Sequence, residues 1–279
     1  MLSAFAHAID RHEDLVWGQI LVTPFELGAW SLLEPMGDQN HAPQLCWIRS
    51  DLLGCVWMAG GGEGTAGMSV YLCLLSSEQG SWGVPQCISQ DLERSEQNPL
   101  LFVSDGVLHL IHSAQRVRDP SDRSWTESQS SFSMQWTAVL RHQTLQVEAI
   151  DLDRPESWEG QAWSAAKDLI ETPAFCRQPP HRSEDGTWLL PIYRSLEEGG
   201  SFGHDHSEVL HLDVAGIPMG APISVPDSTG RVHGSIVPSA DGTTLRQFFR
   251  SRLADWVYCS ASEDHGLSWS SPQPTDLPN

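Results

Sequence analysis

Lysine is almost missing from this sequence: Lys167 stands alone, and arginine supplies the rest of the 16 basic residues. Against 36 acidic residues this leaves a formal net charge of −20. A field of that sign repels phosphate backbones and anionic headgroups, so neither nucleic acid nor a membrane is expected as a partner. Helical periodicity is also scarce, with Trp163–Ile170 the only candidate segment, and a short one. No apolar run reaches the ~18 residues a membrane helix needs. Met1–Trp17 carries His7, Asp10, Arg11, His12, Glu13 and Asp14 rather than a continuous apolar core, so no leader peptide is expected and the chain is placed in the cytoplasm. The six cysteines (Cys46, Cys55, Cys73, Cys87, Cys176 and Cys259) sit singly in apolar runs, and no C-x-x-C pair occurs. That excludes a zinc knuckle or dithiol redox motif and predicts reduced, packed thiols.

Tryptophan is abundant, with 12 in 279 residues, as expected of a fold that packs aromatics between sheets. One short unit recurs. It is clearest at Gln97–His112, where a polar pair and a proline lead into Leu100-Leu101-Phe102-Val103, Asp105-Gly106 follows, and Val107–His112 continues. Asp-Gly suits a tight hairpin because both central residues can take φ > 0. Related units occur at Asn40-His41-Ala42-Pro43, at Arg177-Gln178-Pro179 with Asp185-Gly186, and at His233–Pro238 with Asp241-Gly242. A hairpin repeat at intervals of roughly 55 to 80 residues is the signature of a β-propeller. The expected architecture is therefore an all-β propeller of four-stranded antiparallel blades in one domain over 1–279, with repeats starting near 40, 97, 177 and 233.

Within this scheme Val16–Val22 is predicted as a first strand. Repeat one uses strands to Ile48, over Leu52–Met58 and Met68–Leu75, and one ending near Ile88. Repeat two uses Pro99–Val103, Val107–Ser113, Met134–Arg141 and Leu145–Leu152, with a polar surface loop over 116–131. Repeat three runs through Tyr193 and an acidic, glycine-rich loop over 197–205. Repeat four runs from His233 to Trp269.

Ser262-Glu263-Asp264-His265-Gly266-Leu267-Ser268-Trp269 fits S-x-D-x-G-x-[ST]-W at every fixed position and resembles the Asp-box of sialidase-type propellers. Ser262 and Asp264 are suited to bond turn amides, Gly266 to take φ > 0, and Trp269 to plug a gap between strands. The assignment is structural. Ser76–Trp82 is similar to a degenerate copy.

Gln39–Pro43, Ser95–Pro99, Arg177–Pro179 and Phe248–Arg252 further resemble the bacterial predicted-neuraminidase family, from about residue 35 onward. The resemblance implies a six-bladed ring in which relatives continue past the stretch matching Pro274–Asn279. About four blades are thus expected here, as an incomplete propeller. It also implies a glycan-processing enzyme acting on a terminal acidic, sialic-acid-like sugar. Such enzymes use an arginine triad for the carboxylate, a Tyr/Glu nucleophile pair and an aspartate acid/base. The family's first arginine lies two residues before a proline, and His41 stands there in this chain.

In a propeller the inner strands start beside the central channel, so Asn40, His41, Gln97, Asn98, Arg177, Gln178 and His233 are expected around one mouth. Satisfying inner-strand backbone and binding channel water is the plainer role for them. Arg177, Arg194, Arg250 and Arg252 are candidates for a carboxylate clamp, since guanidinium binds carboxylate in a bidentate manner. Tyr193 and Glu63 form the candidate nucleophile pair; a strand aromatic in the core is the plainer reading of Tyr193. His41 and His233 suggest another chemistry, β-elimination at a uronate with histidine as base and Tyr193 as acid. A non-catalytic glycan-binding propeller is the third possibility. His204-Asp205-His206 has metal-like spacing but lies among glycines and reads as an exposed loop, so no metal or cofactor is expected.

Overall fold

The Asp-Gly turn does what its chemistry requires. Asp105 (φ 47°) and Gly106 (φ 77°) both sit in the left-handed region, and the strands either side pair from Ser104↔Val107 outward. In this computed structural model, which describes residues 17–22, 28–117, 135–195 and 204–279, such hairpins build four antiparallel blades in a ring.

A short hairpin, β1 (Leu21–Val22) and β2 (Ala29–Trp30), precedes the blades. Blade one is β3 (Gln39–Arg49), β4 (Leu52–Gly60), β5 (Ser69–Ser76) and β6 (Gln86–Ser89). Blade two is β7 (Arg94–Ser104), β8 (Val107–Arg116), β9 (Val139–Gln146) and β10 (Lys167–Asp168). In blade three the inner strand is broken into β11 (Phe175–Cys176) and β12 (His181–Arg182), both pairing with β13 (Trp188–Arg194); β14 (His206–Leu212) and β15 (Ile223–Ser224) follow. Blade four is β16 (Arg231–Pro238), β17 (Leu245–Ser251), β18 (Trp256–Ser262) and β19 (Gln273–Pro278).

Each gap between successive blades holds its own apolar cluster. Ile48, Val56, Leu72 and Ile88 meet Leu101, Leu108 and Leu110 between blades one and two. Phe102, Ile111 and Leu140 meet Trp188, Leu190 and Leu210 between blades two and three, and Leu189 and Val209 meet Ile236, Phe249 and Trp269 between three and four. Alternation along each strand sends successive side chains to opposite faces, which is why every blade can serve two clusters.

Three sequence expectations need correction. The first strand is limited to Leu21–Val22 among the described residues. The third strand of blade two is Val139–Gln146, later than the alternation over Met134–Arg141 suggests, and Leu145–Leu152 does not form the fourth. The chain leaves the sheet because the Val147 amide donates to the Gly106 carbonyl (2.9 Å), starting a 3₁₀ turn. Val147 and Ile150, three residues apart, then bury together with Trp158 and Trp163. Trp163–Ile170 forms no helix and instead supplies the outer strand, Lys167–Asp168. Most of the loops over 116–131 and 197–205 lie outside the described residues. All six cysteines are free, as expected.

The Asp-box closes the β18–β19 turn. Asp264 accepts from the Ser262 hydroxyl (2.9 Å), the Ser268 amide (2.8 Å) and the Ser268 hydroxyl (2.5 Å). Gly266 sits at φ 85°, where an added Cβ would lie 3.0 Å from Leu189, and Trp269 fills the gap to blade three. β18 begins beside Asp255, near the end of β17 that carries Arg250, so its far end places the Asp-box at the opposite end of the blade from that arginine.

Between blades two and three, His109 Nδ1 and His142 Nε2 lie 2.9 Å apart, with the rings stacked (centroids 5.2 Å). Burial holds both imidazoles down to about 4, with His142 further depressing His109 and Lys167 further depressing His142. The unfolded chain therefore binds more protons than the folded one below pH ~6.5. Folding stability is expected to be full above that pH and to fall progressively towards pH ~4. Chemical denaturation across this range should show the loss, and His109→Phe with His142→Asn should flatten it.

Candidate active site

Three inner strands carry the same backbone irregularity at the same height. Register slips between His41 and Gln44 on β3, between Gln97 and Leu100 on β7, and between Val232 and Ser235 on β16. In each, two residues oppose one: Ala42-Pro43, Asn98-Pro99 and His233-Gly234. This is a β-bulge, which bends a strand and re-aims the side chains around it. The first residue of each pair is left-handed: Ala42 at φ 54°, Asn98 at 53° and His233 at 57°. Proline suits the second position because the unpaired residue needs no amide donor. Gly234 takes that place in blade four, where a Cβ would collide with Gln247 at 2.1 Å. In blade three the whole inner strand breaks between Cys176 and His181, and Arg177 sits in the break. These four lesions are the polar-Pro units of the sequence.

They surround one cavity of about 190 Å³. Blade one contributes His41 and Glu63, and blade two Gln97 and Asn98; Arg177 and Tyr193 come from blade three, and His233, Arg250 and Arg252 from blade four. Met58 and Phe175 form its apolar parts. His41, Glu63 and Arg250 are exposed, whereas Gln97 and Tyr193 are buried. Gln97 donates to the Ser95 hydroxyl at 3.1 Å, and the Glu63 amide donates to Gln39 at 2.8 Å, fixing the glycine-rich loop over the mouth.

Tyr193 stacks on Phe175 (centroids 5.3 Å) and meets His233 edge-on at 5.2 Å. Burial raises the Tyr193 phenol well above its ordinary value, against the opposing pull of Arg252 and Arg177, so it is protonated at neutral pH. Burial, then Arg252, Arg250 and Arg177 in turn, hold His233 down to about 3, leaving a neutral imidazole. Three guanidinium groups thus face one histidine.

Arg252 is braced from behind. Its Nε donates to Asp205 Oδ2 at 2.7 Å, Asp205 is fully buried, and the Ser195 hydroxyl donates to the other carboxylate oxygen. Among the described residues neither Arg177 nor Arg250 forms an ion pair. In a chain of net charge −20 the mouth is thus locally cationic.

Three expected residues are turned elsewhere. Asn40 accepts from the Met36 amide (3.0 Å) and Trp57 Nε1 (3.2 Å) and donates to the Gly37 carbonyl, pinning the chain that leads into β3. Arg194 follows Tyr193 in β13, so alternation sends it to the other face, where it bonds the Pro173 carbonyl (3.2 Å) and lies 3.8 Å from Glu208. Gln178 is absent from the cavity wall. His206 lies 3.2 Å from Glu208, Asp205 is committed to Arg252, and no metal-holding cluster of three His, Cys, Asp or Glu occurs among the described residues. Sequence reasoning missed Asp205 as a brace; its only signal there was the metal-like spacing with its histidine neighbours.

Residues 51–279 match the BNR repeat-like domain family. The chain belongs to that family. No curated protein matches it in sequence, but solved structures match it in fold. A Hadza microbial sialidase is 10% identical with a TM-score of 0.61, covering 85% of this chain and 47% of its own. Trypanosoma rangeli sialidase in complex with sialic acid is 8% identical with a TM-score of 0.62, covering 91% and 40%. NanB sialidase from Streptococcus pneumoniae is 10% identical with a TM-score of 0.63, covering 92% and 54%. The chain therefore spans about half the length of these structures. What this BNR repeat-like chain shares with them is the sialidase propeller fold.

Proposed function

We propose that the mouth cavity binds the carboxylate-bearing end of a glycan and cleaves its terminal glycosidic bond by sialidase-like hydrolysis. The observation that carries this reading is the convergence of Arg177, Arg250 and Arg252, the first two without ion pairs among the described residues, around a buried tyrosine. Guanidinium groups hold a carboxylate in a directional, bidentate way, which fixes the sugar ring relative to Tyr193. Glu63 then takes the phenolic proton as the Tyr193 oxygen attacks the anomeric carbon and the bond from that carbon to the leaving oxygen breaks, the leaving oxygen taking up a proton from solvent. Water next attacks the same carbon, breaking its bond to Tyr193, which regains its proton as the free sugar leaves. Asn98 and Gln97 are placed to orient sugar hydroxyls.

One observation favours a second reading. A neutral His233 beside a protonated Tyr193 is the pair that β-elimination at a uronate requires: the imidazole takes the proton next to the carboxylate, and the phenol protonates the departing oxygen. A product assay separates the two. Sialosides should yield free acidic sugar with no ultraviolet-absorbing unsaturated end, and Arg177→Ala should abolish turnover while leaving the fold intact. An unsaturated product from a uronate substrate would replace hydrolysis by elimination. Binding without turnover on either substrate would leave a glycan-binding module.

A further inference from the structure

The mouth does not end at His41. That exposed side chain also lines a neighbouring cavity of about 200 Å³, whose other walls include Leu33, Pro43 and Trp57. Leu33 and Pro43 in turn line a third cavity, of about 560 Å³, which continues past Leu45 to Leu53, Leu75 and Trp82. A trough thus runs from the cationic mouth along the face of blade one turned away from blade two. Strand pairing explains its apolar lining. Leu45 stands opposite Cys55 and Cys55 opposite Cys73, while Trp47 pairs with Leu53 and Leu53 with Leu75, so three strands present apolar side chains to one face.

Elsewhere a neighbouring blade covers such a face. Here the cluster around Cys55, Trp57 and Cys73 draws, among the described residues, only on blade one and the segment leading into it. Leu45 and Trp47 stay 60% and 66% exposed, within reach of a ligand. Trp57 Nε1 is already spent on Asn40 Oδ1 (3.2 Å), so the indole brings hydrocarbon and no free donor. No charged residue is among the described ones lining the 560 Å³ cavity, in a chain of net charge −20, and Glu34 is the one carboxylate of the smaller cavity. Apolar cavities of about 150 Å³ already hold a benzene-sized group, so the trough has room for a chain of several carbons. A ligand that uses both ends of this surface carries a carboxylate at one end and hydrocarbon at the other.

We propose that the trough binds a hydrocarbon aglycone, so that the substrate is an acidic sugar joined to an alkyl chain. This rests on the reading of the mouth as a carboxylate-sugar site. The arginines hold the sugar, and the chain passes His41 and lies along Pro43 and Leu45.

Calorimetric titration with S-alkyl thioglycosides of sialic acid tests it, because the sulfur link resists hydrolysis and affinity is read without turnover. Each methylene fully buried is worth about fourfold, so in an open trough the octyl compound is expected to bind at least about thirtyfold more tightly than the methyl one. Octyl glucoside, with the same chain and no carboxylate, should bind at least about tenfold more weakly than the octyl thiosialoside. Leu45→Asp, at an exposed position outside the mouth, should remove most of the chain-length gain and leave the methyl compound's affinity unchanged. Equal affinity for methyl and octyl compounds, with free sialic acid still bound, would overturn this inference alone. Failure of every acidic sugar to bind would remove the reading of the mouth and the inference with it. Octyl glucoside bound as tightly as the octyl thiosialoside, or a gain that survives Leu45→Asp, would also overturn it. So would self-association at sedimentation equilibrium that Leu45→Asp abolishes, which would give the face to a second copy of the chain.

Discussion

Arg252→Met should destabilise the fold by about 3–5 kcal/mol, the largest stability effect expected of a single substitution in the mouth. Asp205 is fully buried and its charge is met by Arg252 Nε at 2.7 Å. Removing the guanidinium leaves a carboxylate that the Ser195 hydroxyl alone cannot offset. The double substitution Arg252→Met with Asp205→Leu should recover much of the loss, because a buried pair replaced whole costs far less than a pair broken. Urea unfolding of the two variants reads both numbers. Equal destabilisation by the single and the double substitution would show that packing around Arg252, and not its charge, holds blade four to blade three.

The second large effect concerns chemistry. Tyr193→Phe should lower turnover about 10²- to 10⁴-fold, the range for a residue that carries a proton or forms the bond. Stability should change little, since Phe keeps the stack on Phe175 and the edge contact with His233. Both the hydrolytic and the eliminative readings place the phenolic oxygen at the reacting atoms, so this result tests the cavity rather than the choice between them. A Tyr193→Phe chain that keeps full turnover would reduce Tyr193 to a core aromatic.

How far the sequence foretold this molecule depends on the range of each interaction. The hairpins are local: Asp105-Gly106 carries its own turn chemistry, and the Asp-box spells out its own hydrogen bonds between Ser262 and Ser268. The mouth was legible for a related reason. Three of the polar units mark the bulge that bends an inner strand and the one at Arg177 marks a break in it, and the repeat turns these four distant units into neighbours. Arg194 shows where this stops. It is adjacent to Tyr193 in sequence, yet strand alternation puts it on the opposite face against Glu208. Asn40 likewise has the right neighbours in sequence, but its side chain is spent on the chain leading into β3. Asp205 was illegible because its partner, Arg252, lies on another blade, and nothing local distinguishes a bracing carboxylate from a loop one. Leu145–Leu152 misled because an alternating pattern fits two burial modes, and the Gly106 carbonyl captures the Val147 amide into a turn.

The central claim is that the three arginines form a carboxylate site, and affinity tests it without requiring turnover. The chain should be titrated with sialic acid and with its methyl ester, which caps the carboxylate and removes its negative charge. The free acid is expected to bind at least about tenfold more tightly, and Arg177→Ala, at a position with no ion pair among the described residues, should erase that preference. Equal affinity for acid and ester in the wild-type chain would contradict the account.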